Sequence, residues 1–344
     1  MAPLSADFDG KVILVTGGTG SFGQQFVETC VTRFKPRKVI VFSRDELKQY
    51  EMSERAPFRD ATNIRYFIGD VRDVERLEMA FRGVDYVVHA AALKQVTTAE
   101  YNPFECIRTN VHGAENVVRA AIRTGVQKVV ALSTDKAANP INLYGASKLA
   151  ADKIFIAARS LVGAGVPKFS VVRYGNVVGS RGSVIPLYRR LIEQGAKSLP
   201  ITDPRMTRFW ITLRQGIDLV LTTFATMQGS EIFVPKIPSM KMVDLARVMA
   251  PHLTTHVTGI RPGEKLHELM IGVEDARTTV ELPDRYVVRP SLYGDKHAGF
   301  AKEKKVSEDF FYASNNNDRW MTDEDFRQML REIGVTVFGQ AAAQ

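Results

Sequence analysis

Residues 132–148 read Leu-Ser-Thr-Asp-Lys-Ala-Ala-Asn-Pro-Ile-Asn-Leu-Tyr-Gly-Ala-Ser-Lys and hold most of the chemistry visible in the chain. Tyr144 and Lys148 stand four residues apart, so on a helix a phenol and an ammonium share one face. A nearby cation favours the phenolate, which makes Tyr144 a proton acceptor near neutral pH. Thr134, Asp135 and Lys136 precede it and add a hydroxyl, a carboxyl and an amine. Oxidising an alcohol needs one base; an acid and a second base point to a reaction with more proton transfers. The plain alternative is a helix start, with Thr134 or Asp135 as its cap and Lys136 solvated.

A second constellation lies near the N-terminus. Thr16-Gly17-Gly18-Thr19-Gly20-Ser21-Phe22-Gly23 follows an apolar run and opens a helical stretch, with Gly17, Gly20 and Gly23 spaced G-x-x-G-x-x-G. Glycines at these points permit a tight turn and close backbone approach, and the free N–H groups of the helix start face a pyrophosphate. Thr19, Ser21 and Phe22 complete that loop. The end of the next strand selects between NAD and NADP. Ser43 and Arg44 stand there, and the guanidinium fork suits a 2′-phosphate. Asp45 and Glu46 follow and pull the other way, with Lys48 beyond. Asp70 and Val71 end the third strand, where Asp70 accepts from an adenine amino group or caps the next helix. His89 and Ala90 end the fourth, where small residues let the backbone approach the cofactor and His89 reads as a packed ring.

The elements that must position these groups alternate. Strands are expected at Lys11–Thr16, Lys38–Ser43, Ile64–Ile68, Val84–Ala90, Lys128–Leu132 and Lys168–Arg173, with helical stretches at Phe22–Phe34, 45–55, Val74–Phe81, Glu115–Thr124 and Leu149–Leu161. Repeated βα units of this length predict an α/β fold: a Rossmann-type, doubly wound parallel sheet. After about Val178, Gly and Pro become frequent. A smaller, partly interleaved C-terminal substrate domain is expected there. The division reads 1–178 as the dinucleotide domain, with 212–236 returning to it, 179–211 and 237–290 as the substrate domain, and 291–344 as a tail with a terminal helix begun at Thr322.

Composition narrows the function classes. The chain has 344 residues and a formal net charge of +8, with basic and acidic residues interspersed. Without a basic block, attraction of small anions is expected and nucleic-acid binding is not. Cys30 and Cys106 have no metal-type spacing and read as reduced, packed thiols, and no metal site is expected. The first ten residues hold no apolar signal core, and no apolar run reaches the ~18 residues of a membrane helix. A soluble, cytoplasmic protein is expected.

Several segments together resemble the inverting UDP-N-acetylglucosamine 4,6-dehydratases, a family of extended short-chain dehydrogenase/reductases. They are Ser43-Arg44-Asp45-Glu46-Leu47-Lys48, Ser133-Thr134-Asp135-Lys136-Ala137, Arg173 to Ser183, and Arg261-Pro262-Gly263-Glu264-Lys265. The residue after Asp135 is the discriminator: relatives that retain C5 configuration carry Thr-Asp-Glu, and this chain has Thr-Asp-Lys. The resemblance implies bound NADP, a UDP-N-acetylglucosamine substrate and a 6-deoxy-4-keto amino sugar product for pseudaminic acid or a related glycan. Tyr144 with Lys148 would serve C4 oxidation, Lys136 would act as base at C5, Asp135 as acid at C6, and Thr134 would orient the C4 oxygen. Between Lys148 and a cationic nicotinamide, Lys136 is expected to have a lowered pKa. Lys94, Asn176, Arg181, Thr202, Arg205, Met206, Arg208, Arg261 and Glu264 match substrate-binding positions, Arg208 and Arg261 foremost because arginine offers paired donors to a diphosphate. Ser314–Asn317 would close over the nucleotide. A homo-oligomer, a hexamer, is also implied.

Two enzyme alternatives share the loop and Tyr144: a nucleotide-sugar C4 epimerase and a C5-retaining dehydratase. Neither uses Asp135 and Lys136 together. A non-catalytic NADP-binding regulator on the same fold is the alternative from another class.

Overall fold

The computed structural model describes residues 7–162, 165–180, 182–291 and 300–335. Six parallel strands form its centre: β1 (Val12–Thr16), β2 (Lys38–Ser43), β3 (Ile64–Ile68), β4 (Tyr86–His89), β5 (Lys128–Thr134) and β6 (Lys168–Tyr174). Their order is β3-β2-β1-β4-β5-β6. The short runs are rich in β-branched residues and flanked by helices, and β1 is buried at every position, as expected of a strand covered on both faces. Strand order reverses between β1 and β4, which opens a crevice at the carboxyl ends where ligands bind in such sheets.

Beyond these six strands the sheet continues, first through the segment 212–236 expected to return to it and then through strands the sequence pattern does not indicate. Ile232–Pro235 runs parallel beside β6. Arg285–Val288 then pairs with it antiparallel, followed by Thr279–Glu281 and Lys304–Lys305. Residues 279–288, read from sequence as part of the substrate domain, are therefore strands of the main sheet. Val280 and Val287 are buried in its core. Strands of three and four residues around Pro283-Asp284 carry too little periodicity to be assigned from sequence.

Under the sheet, Phe8 meets Phe26, Phe34, Tyr86 and Phe224 at ring-centroid separations of 5.3–6.1 Å. Removing a buried aromatic of this kind costs roughly 3–5 kcal/mol. Both cysteines are buried and free, and burial pushes the Cys30 thiol up.

A second, smaller core collects Val178, Tyr188, Trp210, Met240, Leu245, Phe326 and Leu330. The helices Val184–Glu193, Met242–Met249 and Asp323–Glu332 supply its apolar faces. The last helix begins with a reciprocal cap between Thr322 and Asp325, so this part of the tail packs into the second core. Between the cores, Val96–Tyr101, Pro103–Ile107 and a π-helical turn at Arg108–His112 lead into the helix Gly113–Thr124. The first two of these carry exposed Tyr101 and Phe104 and so lack an apolar stripe to betray them. Among the described residues, no helix is long and apolar enough to cross a membrane.

Candidate active site

The glycine loop joins β1 to the helix α1 (Ser21–Arg33). Gly17 has φ +67°, and a Cβ on it would lie 2.9 Å from Ala91 Cα. A Cβ on Gly23 would lie 2.5 Å from Gly18 Cα. The turn closes through the Gly20 N–H donating to Gly17 O at 2.9 Å. Helix α1 has no side-chain cap and no acidic residue in its first turn, so its free N–H groups present an uncompensated positive end to an anion. Thr19 and Ser43 share a 2.8 Å hydrogen bond across the crevice. Ala90 and Ala91 donate their N–H groups to Thr16 Oγ1, holding the end of β4 against the loop. Ser21 and Phe22 are half-buried at the helix start, and Val71 is buried.

At the end of β2, Arg44 is 58% exposed and lies 3.6 Å from Asp70. Asp45 caps the helix Glu46–Ser53 by accepting from Lys48 N, and it also pairs with the Lys48 ammonium. The two contacts hold its carboxyl below the usual carboxylate range. Glu46 is exposed in the first turn. Asp70 pairs with Arg72 at 2.8 Å. It does not cap the next helix: Asp73 does, accepting from Arg76 N at 2.9 Å.

The catalytic segment begins at the end of β5. Thr134 donates to Asp135 Oδ1 at 2.8 Å and accepts from Lys136 N at 3.3 Å, which winds Asp135–Ala137 into a single 3₁₀ turn. Asn142 accepts from Gly145 N at 2.7 Å and starts the helix Leu143–Ala157 that carries Tyr144 and Lys148. Asp135, Tyr144 and Lys148 are all buried.

The electrostatics differ from the sequence expectation at two points. Lys136 Nζ lies 3.1 Å from Asp135 Oδ1 and 3.0 Å from Glu268 Oε1. Burial works against the ammonium, but the two carboxyl groups outweigh it, and the Lys136 pKa stands above the ordinary lysine range. Its expected lowering is thus reversed in this geometry. Tyr144 is pushed up to about 12, first by burial; Lys136 and a side-chain contact with the Thr134 hydroxyl oppose the rise. The cation acting on the phenol is therefore Lys136. The Lys148 ammonium instead donates to Leu132 O at 2.8 Å, and burial lowers its pKa. Burial, then the Glu268 charge, raise the Asp135 carboxyl, whereas Lys136 and Arg208 hold Glu268 down despite its burial. Two buried carboxyls are thereby driven apart, one toward the acid form and one toward the ion.

A distant stretch covers this turn. Asn142 Nδ2 donates to Gly263 O at 2.7 Å, Lys265 Nζ donates to Ala138 O at 2.5 Å, and Glu268 meets Lys136. Arg208, expected on a diphosphate, is 5% exposed. It donates to Thr207 O, Leu266 O and Lys265 O and pairs with Glu264 and Glu268 at 3.4 Å. Its donors fasten the covering stretch. The Met206 side chain packs in the second core, so no side-chain contact to a ligand is available there. Arg205 is 72% exposed and chelated by Asp203. Arg261 and Lys94 are exposed, while Asn176, Thr202 and Glu264 are half-buried. Arg181 lies outside the described residues. Ser314 and Asn317 are buried: Ser314 accepts from Glu268 N, and Asn317 donates to Ile237 O and Ser239 Oγ. These two are packed ties, not a closing strap.

Residues 13–290 match the family model described as "Polysaccharide biosynthesis protein". The chain is 53% identical, over 94% of its length and 98% of the relative's, to the UDP-N-acetylglucosamine 4,6-dehydratase (inverting) of Campylobacter jejuni strain 81-176. The chain belongs to this polysaccharide biosynthesis family. Another relative is the UDP-glucose 4-epimerase of Rickettsia canadensis, 41% identical over 94% of this chain and 96% of its own length. The X-ray structure of Pen from Bacillus thuringiensis superposes with a TM-score of 0.86 at 36% identity, covering 96% of this chain and 99% of that one.

For a member of the polysaccharide biosynthesis family, two residues of the site were invisible in the sequence. Asn110 sits in the π-helical turn. Its Oδ1 accepts from Leu93 N at 2.8 Å, and its Nδ2 donates to Leu93 O and to Ser147 Oγ at 2.9 Å. It thereby ties the loop after β4 to the helix of Tyr144. Glu268 is the second. Only the π-turn, a recurrent device near functional sites, marks Asn110, and it has no sequence signature. Glu268 stands alone, with no spacing that marks it.

Proposed function

We propose that the protein is an NADP-dependent, C5-inverting UDP-N-acetylglucosamine 4,6-dehydratase. Its product is UDP-2-acetamido-2,6-dideoxy-β-L-arabino-hex-4-ulose, which feeds pseudaminic acid or a related 6-deoxy amino sugar. The observation that carries the reading is the convergence of Tyr144, Asp135 and Lys136 on one turn at the carboxyl end of β5, beside a glycine loop built for a pyrophosphate. A C4 epimerase needs the tyrosine and no acid or second base.

The residues fit a dinucleotide. The close approach of Gly17 to Ala91 leaves no room for a side chain, and the start of α1 offers uncapped N–H groups. NADP is favoured over NAD because Asp45 is consumed as a helix cap and by Lys48, while Arg44 stays largely exposed. NADP⁺ held by this loop would supply the hydride acceptor for C4 and, once reduced, the hydride donor for C6.

In this reading Tyr144 Oη takes the C4 hydroxyl proton. Lys136 Nζ, 26% exposed, first passes its own proton to solvent and then, as the free amine, takes the proton from C5, which the new ketone has acidified. Asp135, whose pKa is raised by burial and by Glu268, gives its proton to the departing C6 hydroxyl, and water leaves. Protonation of C5 from the opposite face completes the inversion. Exposed Lys94 and Arg261, with Asn176, Thr202 and Glu264, face the nucleotide sugar, and the working form is a homo-oligomer, a hexamer.

Lys136→Ala tests the assignment. The variant is expected to keep its cofactor and to lose solvent exchange at C5 by several orders of magnitude. Undiminished turnover would mean that the C5 base is elsewhere.

A further inference from the structure

Glu268 is the least explained group near the catalytic turn. Its side chain is 1% exposed, and Oε2 has no hydrogen-bond partner. A buried carboxylate is tolerated only when its charge is matched. Two cations match it: Lys136 Nζ at 3.0 Å and Arg208 Nε at 3.4 Å. The backbone of Glu268 is fixed as well, its N–H donating to Ser314 Oγ at 2.9 Å and its carbonyl accepting from Ser314 N at 2.8 Å. Arg208 is held by three carbonyls. Glu268 therefore sits on a rigid mount, and Lys136, 26% exposed, is the partner with freedom to move.

The groups facing Lys136 come from four elements. Asp135 lies on its own turn, Tyr144 on the following helix, Arg208 on the strand Thr207–Ile211, and Glu268 and Lys265 on the covering stretch. The two acids attract the ammonium, and Arg208 and Lys265 repel it. Of the acids, Asp135 is the one driven toward its neutral form, so the negative charge resides on Glu268.

We propose that Glu268 is a positioning residue for the C5 step: it clamps the Lys136 ammonium against Asp135 and governs when that nitrogen can exchange a proton with the sugar. This rests on the reading that Lys136 works at C5. The dehydratase cycle demands a lysine that alternates between amine and ammonium while staying in one place. A fixed carboxylate 3.0 Å from Nζ supplies the restraint. Without its charge, Lys136 faces one acid instead of two and the same two cations, so its amine becomes available at lower pH.

The test uses the holoenzyme and Glu268→Gln, which keeps the volume and an acceptor for Nζ but removes the charge. With UDP-N-acetylglucosamine in deuterated water, the acid limb of the pH profile for C5 exchange should move down by at least about one unit, a tenfold change in proton affinity. Bound NADP should be unchanged. Glu268→Asp, which keeps the charge, should leave the limb in place and lower kcat. A limb that does not move in Glu268→Gln, or that moves equally in Glu268→Asp, overturns the proposal. A wild-type enzyme that leaves the sugar untouched would sink the functional reading and not the clamp. The clamp is then decided without turnover, by acetylating the wild-type protein with acetic anhydride across pH and following the Lys136 peptide by mass spectrometry. Nζ should titrate above the ordinary lysine value of about 10.4, and titration with the bulk lysines overturns the clamp whether or not a variant folds.

Discussion

Among the described residues His89 has the most strongly shifted histidine ring, and its consequence is a stability that depends on pH. Buried beneath the loop, it shares a 2.8 Å hydrogen bond with Thr16 Oγ1. Burial first, and then the Lys148 charge, lower its pKa from 6.5 to about 3. In the unfolded chain the ring titrates near 6.5. Between those values the unfolded state binds a proton that the native state refuses, so this contribution is intact above pH 6.5 and is lost as pH falls. The loss approaches about 1.4 kcal/mol per pH unit. Denaturant titrations of the wild type and His89→Gln between pH 7 and 4.5 check it. The wild type should lose stability more steeply on acidification; parallel slopes would show that the ring does not carry the effect. The same scale divides what was legible. Tyr144, Lys148, Asp135 and Lys136 are visible because they lie within one short stretch. The proton affinities of Asp135 and Lys136 are not, because Glu268, which acts on both, and Arg208, which acts on Lys136, reach the turn from distant parts of the chain.

At the scale of elements, the glycine loop is the part that sequence reads most directly. A turn of this kind leaves no freedom in residue type, as Gly17 shows. Its positive φ costs a residue with a Cβ about 1–2 kcal/mol, and that Cβ would press on Ala91 Cα at 2.9 Å. Gly17→Ala should therefore lower the melting temperature and weaken NADP binding at least about tenfold by calorimetry. Unchanged affinity would contradict the loop's assignment to the pyrophosphate. The six central strands are legible for a similar reason: each is a short run rich in apolar and β-branched residues between helical stretches. Other elements are not. Val96–Tyr101 and Pro103–Ile107 leave Tyr101 and Phe104 exposed, which erases the helical stripe. Residues 279–288 join the sheet through strands too short to show alternation. The role of residues 261–268 is also hidden, since Arg261 and Glu264 read as substrate-binding positions. Their neighbours Gly263, Lys265 and Glu268 fasten the stretch onto the catalytic turn.

For the whole molecule, two cores meet across the carboxyl edge of one sheet. The larger packs beneath the glycine loop, Tyr144 belongs to a small third cluster with Ala99 and Cys106, and the strand of Arg208 sends Phe209 and Ile211 into the larger core and Trp210 into the smaller. The catalytic turn is pinned between them, anchored below by Ser133, which donates to Asp152 Oδ2 at 2.8 Å, and by Arg173, which reaches both Asp152 and Met270 O. Such a site can keep a sugar intermediate away from water while protons move among fixed groups. Its proton inventory, an acid beside a clamped amine and a phenol, is what separates the dehydratase reading from a simple epimerase. The most direct test is to incubate the purified protein with UDP-N-acetylglucosamine in deuterated water and follow the sugar by NMR. The account predicts a 4-keto-6-deoxy product of L-arabino configuration with deuterium at C5. Unchanged sugar, a C4 epimer that keeps its C6 hydroxyl, or a D-xylo product alone would contradict it.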